Sequence, residues 1–187
     1  EDFRKAEEQG CFMIWNHPGW PDKKATLYPL HKQLIKEGRI HAVELFNGSE
    51  WYPKALDWFD QYKLPMMANT DIHDTSRFAY GNQIRPMTLV FAKEYTLESL
   101  REALFAGRMV AFFDNKLAGD KLYLDQLIDA SLQVKVIDAK KGVLQISNIS
   151  DIEFQALFGN RMNPVLFRPR TAIRITIPKG TVLDFIN

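Results

Sequence analysis

Apolar positions change their period once along this chain. Up to about residue 113, short apolar runs alternate with stretches whose apolar residues recur at helical spacing. An amphipathic helix is under way from Glu1 to Gln9 and stops at Gly10, the residue type that closes helices in the left-handed conformation. Phe12 to Trp15 reads as a strand. Asp22 is placed to cap a helix from Leu27 to Glu37, with Pro29 in its first turn and Leu27, Leu30, Leu34 and Ile35 on its inner face. A strand from Ile40 to Phe46 leads to a loop at Asn47-Gly48. Pro53 then opens a helix to Tyr62 with Ala55, Leu56 and Phe59 inward. Strands from Leu64 to Ala68 and Met87 to Phe91, a helix from Leu97 to Ala106, and a strand from Met109 to Phe113 complete the series. Strands alternating with helices of this length predict βαβ units and a parallel sheet.

Beyond residue 130 the period becomes two. Leu132-Gln-Val-Lys-Val-Ile137, Gly142-Val-Leu-Gln-Ile-Ser147 and Ala172-Ile-Arg-Ile-Thr-Ile177 all alternate. They predict a small antiparallel β-sandwich, with Phe154, Leu157 and Phe158 as a short helical turn inside it. The expected division is an α/β part over residues 1–115, a linker over 116–130 and the β domain over 131–187.

Composition narrows the function classes. Of 187 residues 46% are hydrophobic and 12% aromatic, which excludes a disordered chain. A formal net charge of +1 gives no strong field to draw in nucleic acid or a membrane surface. Cys11 is the single cysteine, so there is no disulfide framework, and its place beside an apolar run predicts burial. The sequence contains no transmembrane run and no signal peptide. Glu1 is not a methionine and the first helix has already begun, so the sequence reads as a piece of a longer chain.

Candidate chemistry gathers where the predicted strands end. In Asn69-Thr-Asp-Ile-His73, Asp71 and His73 alternate along an extended backbone, about 7 Å apart and on one side of it. A carboxylate and an imidazole so placed can share a metal or serve two adjacent ones. Asn16-His17 follows the first strand, in a loop where Pro18 fixes a turn, Gly19 permits close approach, and Trp15 and Trp20 can wall a pocket. Asn47 follows the next strand. Ionisable residues just past the carboxyl ends of strands are where α/β enzymes place their chemistry. Taken singly, each has a plainer reading. His17 is a loop histidine bonded to backbone, Asp71 an Asx turn, Asp74 a cap, and His31 and His41 solvated residues. Glu44, inside the apolar strand Ala42-Val-Glu-Leu-Phe46, is costly to bury unless paired. Asn69, His41 or a lysine are its candidate partners, and contact with a metal's surroundings is the other reading. The nitrogen and oxygen donors suit Zn²⁺, Mn²⁺ or Fe²⁺ rather than a thiolate site.

Asn16-His-Pro-Gly-Trp20, Val43-Glu-Leu-Phe-Asn-Gly48 and Asn69-Thr-Asp-Ile-His73 resemble, in order and spacing, the later motifs of the PHP (polymerase and histidinol phosphatase) metal-dependent phosphoesterases. The resemblance covers residues 1–115. It implies the C-terminal portion of a distorted, TIM-like β/α barrel with two or three divalent metals at the strand ends. His17 then matches a metal-ligand histidine, and Asp71 and His73 match a closing D-x-H whose side chains go to different metals. The β-rich tail resembles the branch of the family that hydrolyses phosphodiesters and carries an appended β-sandwich. The family's opening H-x-H is absent from this sequence. The resemblance therefore implies that the N-terminal barrel half comes from the rest of a parent protein or from another chain.

The function that follows is hydrolysis of a phosphomonoester or phosphodiester by metal-activated water, with this chain alone inactive. Asn16, Glu44, Asn47 and Asn69 would stand behind the metals or against substrate. Arg77 and Arg85 would clamp phosphate or serve as solvated loop residues. The substrate class is a phosphorylated small molecule or a phosphodiester. Two other classes fit the same residues: a non-catalytic ligand- or protein-binding module, and an amidohydrolase-like metal hydrolase, for which the H-x-H and a distinctive lysine are missing. Export to the periplasm is implied only by the resemblance; the residues leave the compartment undetermined.

Overall fold

A computed structural model describes residues 2–21, 23–75, 84–158, 163–178 and 180–186. The chain divides into two compact units, Glu1–Tyr123 and Leu124–Asn187.

In the first unit, α1 (Asp2–Glu8) ends at Gly10, whose φ of 65° allows its N–H to reach Glu7 O and the next N–H to reach Ala6 O. The predicted capping residue Asp22 lies outside the described residues. Helix α2 (Pro29–Lys36) begins with proline at its first position and buries Leu34 and Ile35, while Leu30 faces solvent. Helix α3 (Lys54–Tyr62) turns Ala55 and Trp58 inward; Leu56, expected inside, is partly exposed because Trp58 takes that face. Strands β1 (Ile14–Trp15), β2 (Ala42–Asn47), β3 (Glu50–Trp51) and β4 (Met66–Asn69) form one sheet. β1 and β4 flank β2 in parallel, and β3 pairs with it antiparallel. Every residue of β2 is buried, as befits a central strand covered on both faces.

β5 (Met87–Val90), β6 (Met109–Phe113) and β7 (Lys116–Gly119) form a second sheet, with α4 (Leu97–Phe105) between β5 and β6. Here the expectation of parallel strands is corrected. β5 and β6 run antiparallel, because the chain reverses across α4 and clamps its own exit: Phe91 N–H donates to Arg108 O, and Arg108 Nε donates back to Phe91 O. β6 and β7 form a hairpin over Asp114-Asn115, both at positive φ, the backbone of a type I′ turn. The two sheets meet where Thr88 Oγ1 takes a hydrogen bond from Ala68 N–H and gives one to Ala68 O, each 3.0 Å. This is a mixed α/β arrangement, and no sheet closes into a barrel among the described residues.

The segment 116–130, expected as a linker, is the β7 strand and then helix α5 (Lys121–Ser131). Asp120 caps that helix through Leu122 N–H, and Leu124, Leu127 and Ile128 have helical spacing. In the second unit, β8 (Leu132–Asp138), β9 (Val143–Asn148) and β12 (Ala172–Thr176) are the three alternating runs, paired antiparallel as β12-β9-β8. Another antiparallel sheet has the order β11-β10-β13, from β10 (Phe154–Leu157), β11 (Val165–Phe167) and β13 (Asp184–Phe185). Phe154 and Leu157 are therefore strand, not helical turn. Ile146, Phe154 and Phe167 are buried, and Asn148 bonds Ile152 O and Phe167 O, tying β9 to β11.

Three local expectations are also corrected. Cys11 is exposed, because it precedes the short strand β1 instead of lying in it. His31 and His41 are half-buried, not solvated. His41 accepts Met13 N–H on Nδ1 at 2.8 Å and packs on Phe12 and Phe105. His31 packs on Trp15. Burial lowers the pKa of both imidazoles, which favours their neutral forms.

Candidate active site

Glu44 organises the carboxyl rim of the first sheet. It is 2% exposed, and a carboxylate there needs every lone pair it can fill. Three strand ends supply the donors. His17 N–H, past β1, and Asn47 Nδ2, at the end of β2 (2.8 Å), both reach Oε2. Asn69 Nδ2, at the end of β4, reaches Oε1 at 2.8 Å. Glu44 thus pairs with Asn69, one of its three candidate partners, and its hydrogen bonds join the ends of three neighbouring strands.

A register irregularity makes this possible. β2 pairs Glu44 with Met67 but Phe46 with Ala68, so Leu45 is an extra residue. In a regular strand, residues three apart face opposite sides. The bulge resets the alternation and brings Asn47 to the side of Glu44, the re-aiming for which bulges recur beside functional sites.

Above this rim lies a cavity of about 490 Å³. Its walls carry His17, Asn47, Asp71 and His73, with Trp20, Gly48, Ser49, Glu50, Tyr52 and Thr70. The structure thus brings together the three residues expected as metal ligands. His73 Nε2 lies 3.8 Å from Asp71 Oδ1, and both side chains are exposed to the cleft. His17 and Asp71 both have positive φ (30° and 47°), uncommon for non-glycine residues and concentrated at functional sites when held by their surroundings. Asn69 and Glu44 sit beneath the rim. Asn16 is exposed and lines a neighbouring cavity, and the exposed Arg85 is outside the walls of both. Arg77 lies outside the described residues.

Sequence reasoning missed Glu50 and Tyr52. The sequence pattern makes Asn47-Gly48 a loop, yet Asn47 ends β2 and pairs with Glu50, so the connection is the two-residue Gly48-Ser49, a glycine-serine hairpin signal after an apolar strand. Gly48, at φ 58°, makes that turn, and β3 returns with Glu50 and Tyr52 facing the cavity. Tyr52 donates to Glu50. Burial first, then the hydrogen bond to Glu50, pushes the phenol pKa well above its ordinary value, so Tyr52 stays a neutral donor. Gly19 abuts this ring: a Cβ at residue 19 would lie 2.7 Å from a Tyr52 ring carbon. Tyr52 is only 7% exposed and has little room to retreat. Gly19→Ala is therefore expected to cost about 1–3 kcal/mol of stability, the range for overpacking. Thermal unfolding checks this; an unchanged melting temperature would mean the loop 16–21 yields freely.

The donor set suits a divalent cation, with two imidazoles and the carboxylates of Asp71 and Glu50 around one space. The geometry does not complete such a centre. Among the described residues, no three histidine, cysteine, aspartate or glutamate side chains converge closely enough to hold a metal ion.

No protein-family model and no curated protein matches the chain. One solved structure does: a two-domain protein from Bacteroides vulgatus ATCC 8482 containing a predicted PHP-like metal-dependent phosphoesterase. The similarity has a TM-score of 0.83 at 30% identity and covers 92% of this chain but 54% of that one. The present chain spans about half the length of the protein it matches.

Proposed function

We propose that this chain carries part of the active site of a metal-dependent phosphoesterase, and that residues outside these 187 complete it. The observation that carries the reading is the assembly of His17, Asp71 and His73 around one cavity, over the hydrogen bonds that join three strand ends to Glu44. The structural similarity to a protein containing a predicted phosphoesterase of the PHP-like kind supports the same class. In this reading His17, Asp71 and His73 are metal ligands, and Glu44, Asn47 and Asn69 hold the strand ends that aim them. Tyr52 keeps Glu50 at the cavity wall. Zinc, manganese or iron fits the nitrogen and oxygen donors. The substrate is a phosphorylated small molecule or a phosphodiester. The β-rich second unit corresponds to the appended β-sandwich of that branch. The ligands still needed come from an N-terminal barrel half, in the parent protein or in another chain.

Asp71→Asn tests the ligand role. Asp71 is about half exposed and sits at φ 47°, a conformation that asparagine tolerates as well as aspartate does. Folding stability should change by no more than about 0.5 kcal/mol, as for an ordinary surface substitution. Bound metal in the complete parent polypeptide, measured by elemental analysis, should fall well below the unsubstituted level. Equal metal content in the two proteins would remove Asp71 from the ligand set.

A further inference from the structure

A second cavity, of about 430 Å³, adjoins the first and shares His17 and Trp20 with it. Its size is within the range of small-molecule sites. Its walls differ in character from those of the first. Trp15, Trp20, Tyr28 and His31 supply aromatic surface, and Asn16 and Thr26 supply polar atoms. Among the described residues, no carboxylate, lysine or arginine belongs to this lining. Trp15, His31 and Tyr28 form a continuous array. The Trp15 and His31 rings lie 4.1 Å apart, the Tyr28 and His31 rings 5.7 Å, and Trp15 stacks at 4.4 Å on Trp58 behind it. The rear of the wall is thus anchored in the core, while its front is open. Trp20 is 69% and Tyr28 53% exposed, two large aromatic side chains that keep much of their surface open to solvent. Trp20 also meets His17 edge-on at 5.7 Å, so it stands between the two cavities. The loop is held in position at a cost: Lys23 and Ala25 both have positive φ, the kind of backbone strain that surrounds binding sites.

We propose that this second cavity binds a planar aromatic ring, the organic part of a phosphoester whose phosphate end lies in the first cavity. The identity of the phosphate end rests on the phosphoesterase reading; the ring site stands on its own walls. Exposed tryptophan and tyrosine faces favour flat π systems that can stack on them. The shared residues His17 and Trp20 put the two ends of such a ligand side by side. An aryl ester and a nucleoside ester both have this form, and binding of phenol and adenosine separates them.

The experiment is ligand-observed NMR titration of this chain with phenol, adenosine, cyclohexanol and glycerol 1-phosphate. Saturable binding of phenol or adenosine is expected, with cyclohexanol and glycerol 1-phosphate much weaker. Tyr28→Ala should weaken the bound aromatic probe about tenfold, in line with the loss of one stacking face. Tyr28→Phe, which keeps the ring and drops only the hydroxyl, should retain the parent affinity. Tyr28 is half exposed and makes no side-chain cap to α2, so circular dichroism should be unchanged in both variants. Failure of both aromatic probes to saturate would overturn the proposal. So would cyclohexanol binding as tightly as phenol, or affinity indifferent to Tyr28→Ala. Phenol, adenosine and cyclohexanol carry no phosphate, so the outcomes that decide the proposal are independent of whether the parent protein hydrolyses esters.

Discussion

Glu44→Ala is expected to destabilise the first unit by about 3 kcal/mol or more, the scale for orphaning several buried hydrogen-bonding groups at once. For a chain of this size that corresponds to a drop in melting temperature on the order of 6–12 °C. The carboxylate is 2% exposed, so alanine leaves a space walled from solvent as well as three donors without their acceptor. Those donors belong to segments distant in sequence, which is why one truncation should loosen three strand ends together. Glu44→Gln separates hydrogen bonding from volume. An amide fills the same space but turns an NH₂ toward one of the donors, and at least half of the loss should remain. Differential scanning calorimetry measures both variants. If alanine costs less than about 1 kcal/mol, an ordinary surface-like effect, Glu44 does not hold the rim together.

The importance of Glu44 was partly legible in the sequence, and the reason is physical. A carboxylate inside Ala42-Val-Glu-Leu-Phe46 violates the apolar pattern of a central strand, and such violations need partners. Asn69 could be named among them because it ends the neighbouring run. Asn47 could not be placed beside Glu44, because regular alternation puts the two on opposite faces. Only the bulge at Leu45 reverses this, and a bulge leaves no mark in an apolar run. The strand direction of β6 was hidden for a related reason. Helix α4 between two apolar runs is the pattern of a parallel crossover, while the antiparallel pairing depends on the contact of Phe91 with Arg108. His31 and His41 looked solvated because a histidine's burial is set by which aromatic residues fold over it, and Phe12, Phe105 and Trp15 come from elsewhere in the chain. The helix α5 was legible and was missed: Asp120 followed by apolar residues at 124, 127 and 128 carries both cap and spacing. The D-x-H was legible as a pair, since Asp71 and His73 reach the same cavity, but not by the extended backbone expected of it. β4 ends at Asn69 and Asp71 sits at φ 47°, so the left-handed turn of the backbone, not strand alternation, brings the two side chains to one cleft.

The purified chain is expected to show negligible turnover of bis(4-nitrophenyl) phosphate with added Mn²⁺ or Zn²⁺, while the complete parent polypeptide turns it over. A catalytic metal of this kind needs about three protein ligands and an open position, and a two-metal site needs more. The cavity presents His17, Asp71, His73 and Glu50, yet no three such groups converge on one point among the described residues. Asp71 Oδ1 and His73 Nε2 are 3.8 Å apart, close enough to lie on one ion or on two neighbours. Glu44 does not line the cavity, and its oxygens accept from His17, Asn47 and Asn69. A metal that entered this half-site would keep most of its water shell and be held weakly. Equilibrium dialysis should accordingly find weak Mn²⁺ and Zn²⁺ binding to this chain and much tighter binding to the parent polypeptide. Adding a separately prepared upstream half to the chain should restore part of both binding and turnover, if the missing ligands can be supplied in trans. Comparable turnover by the chain alone and by the parent would show that the four cavity residues suffice. The proposal that ligands from outside these 187 residues complete the centre would then be wrong.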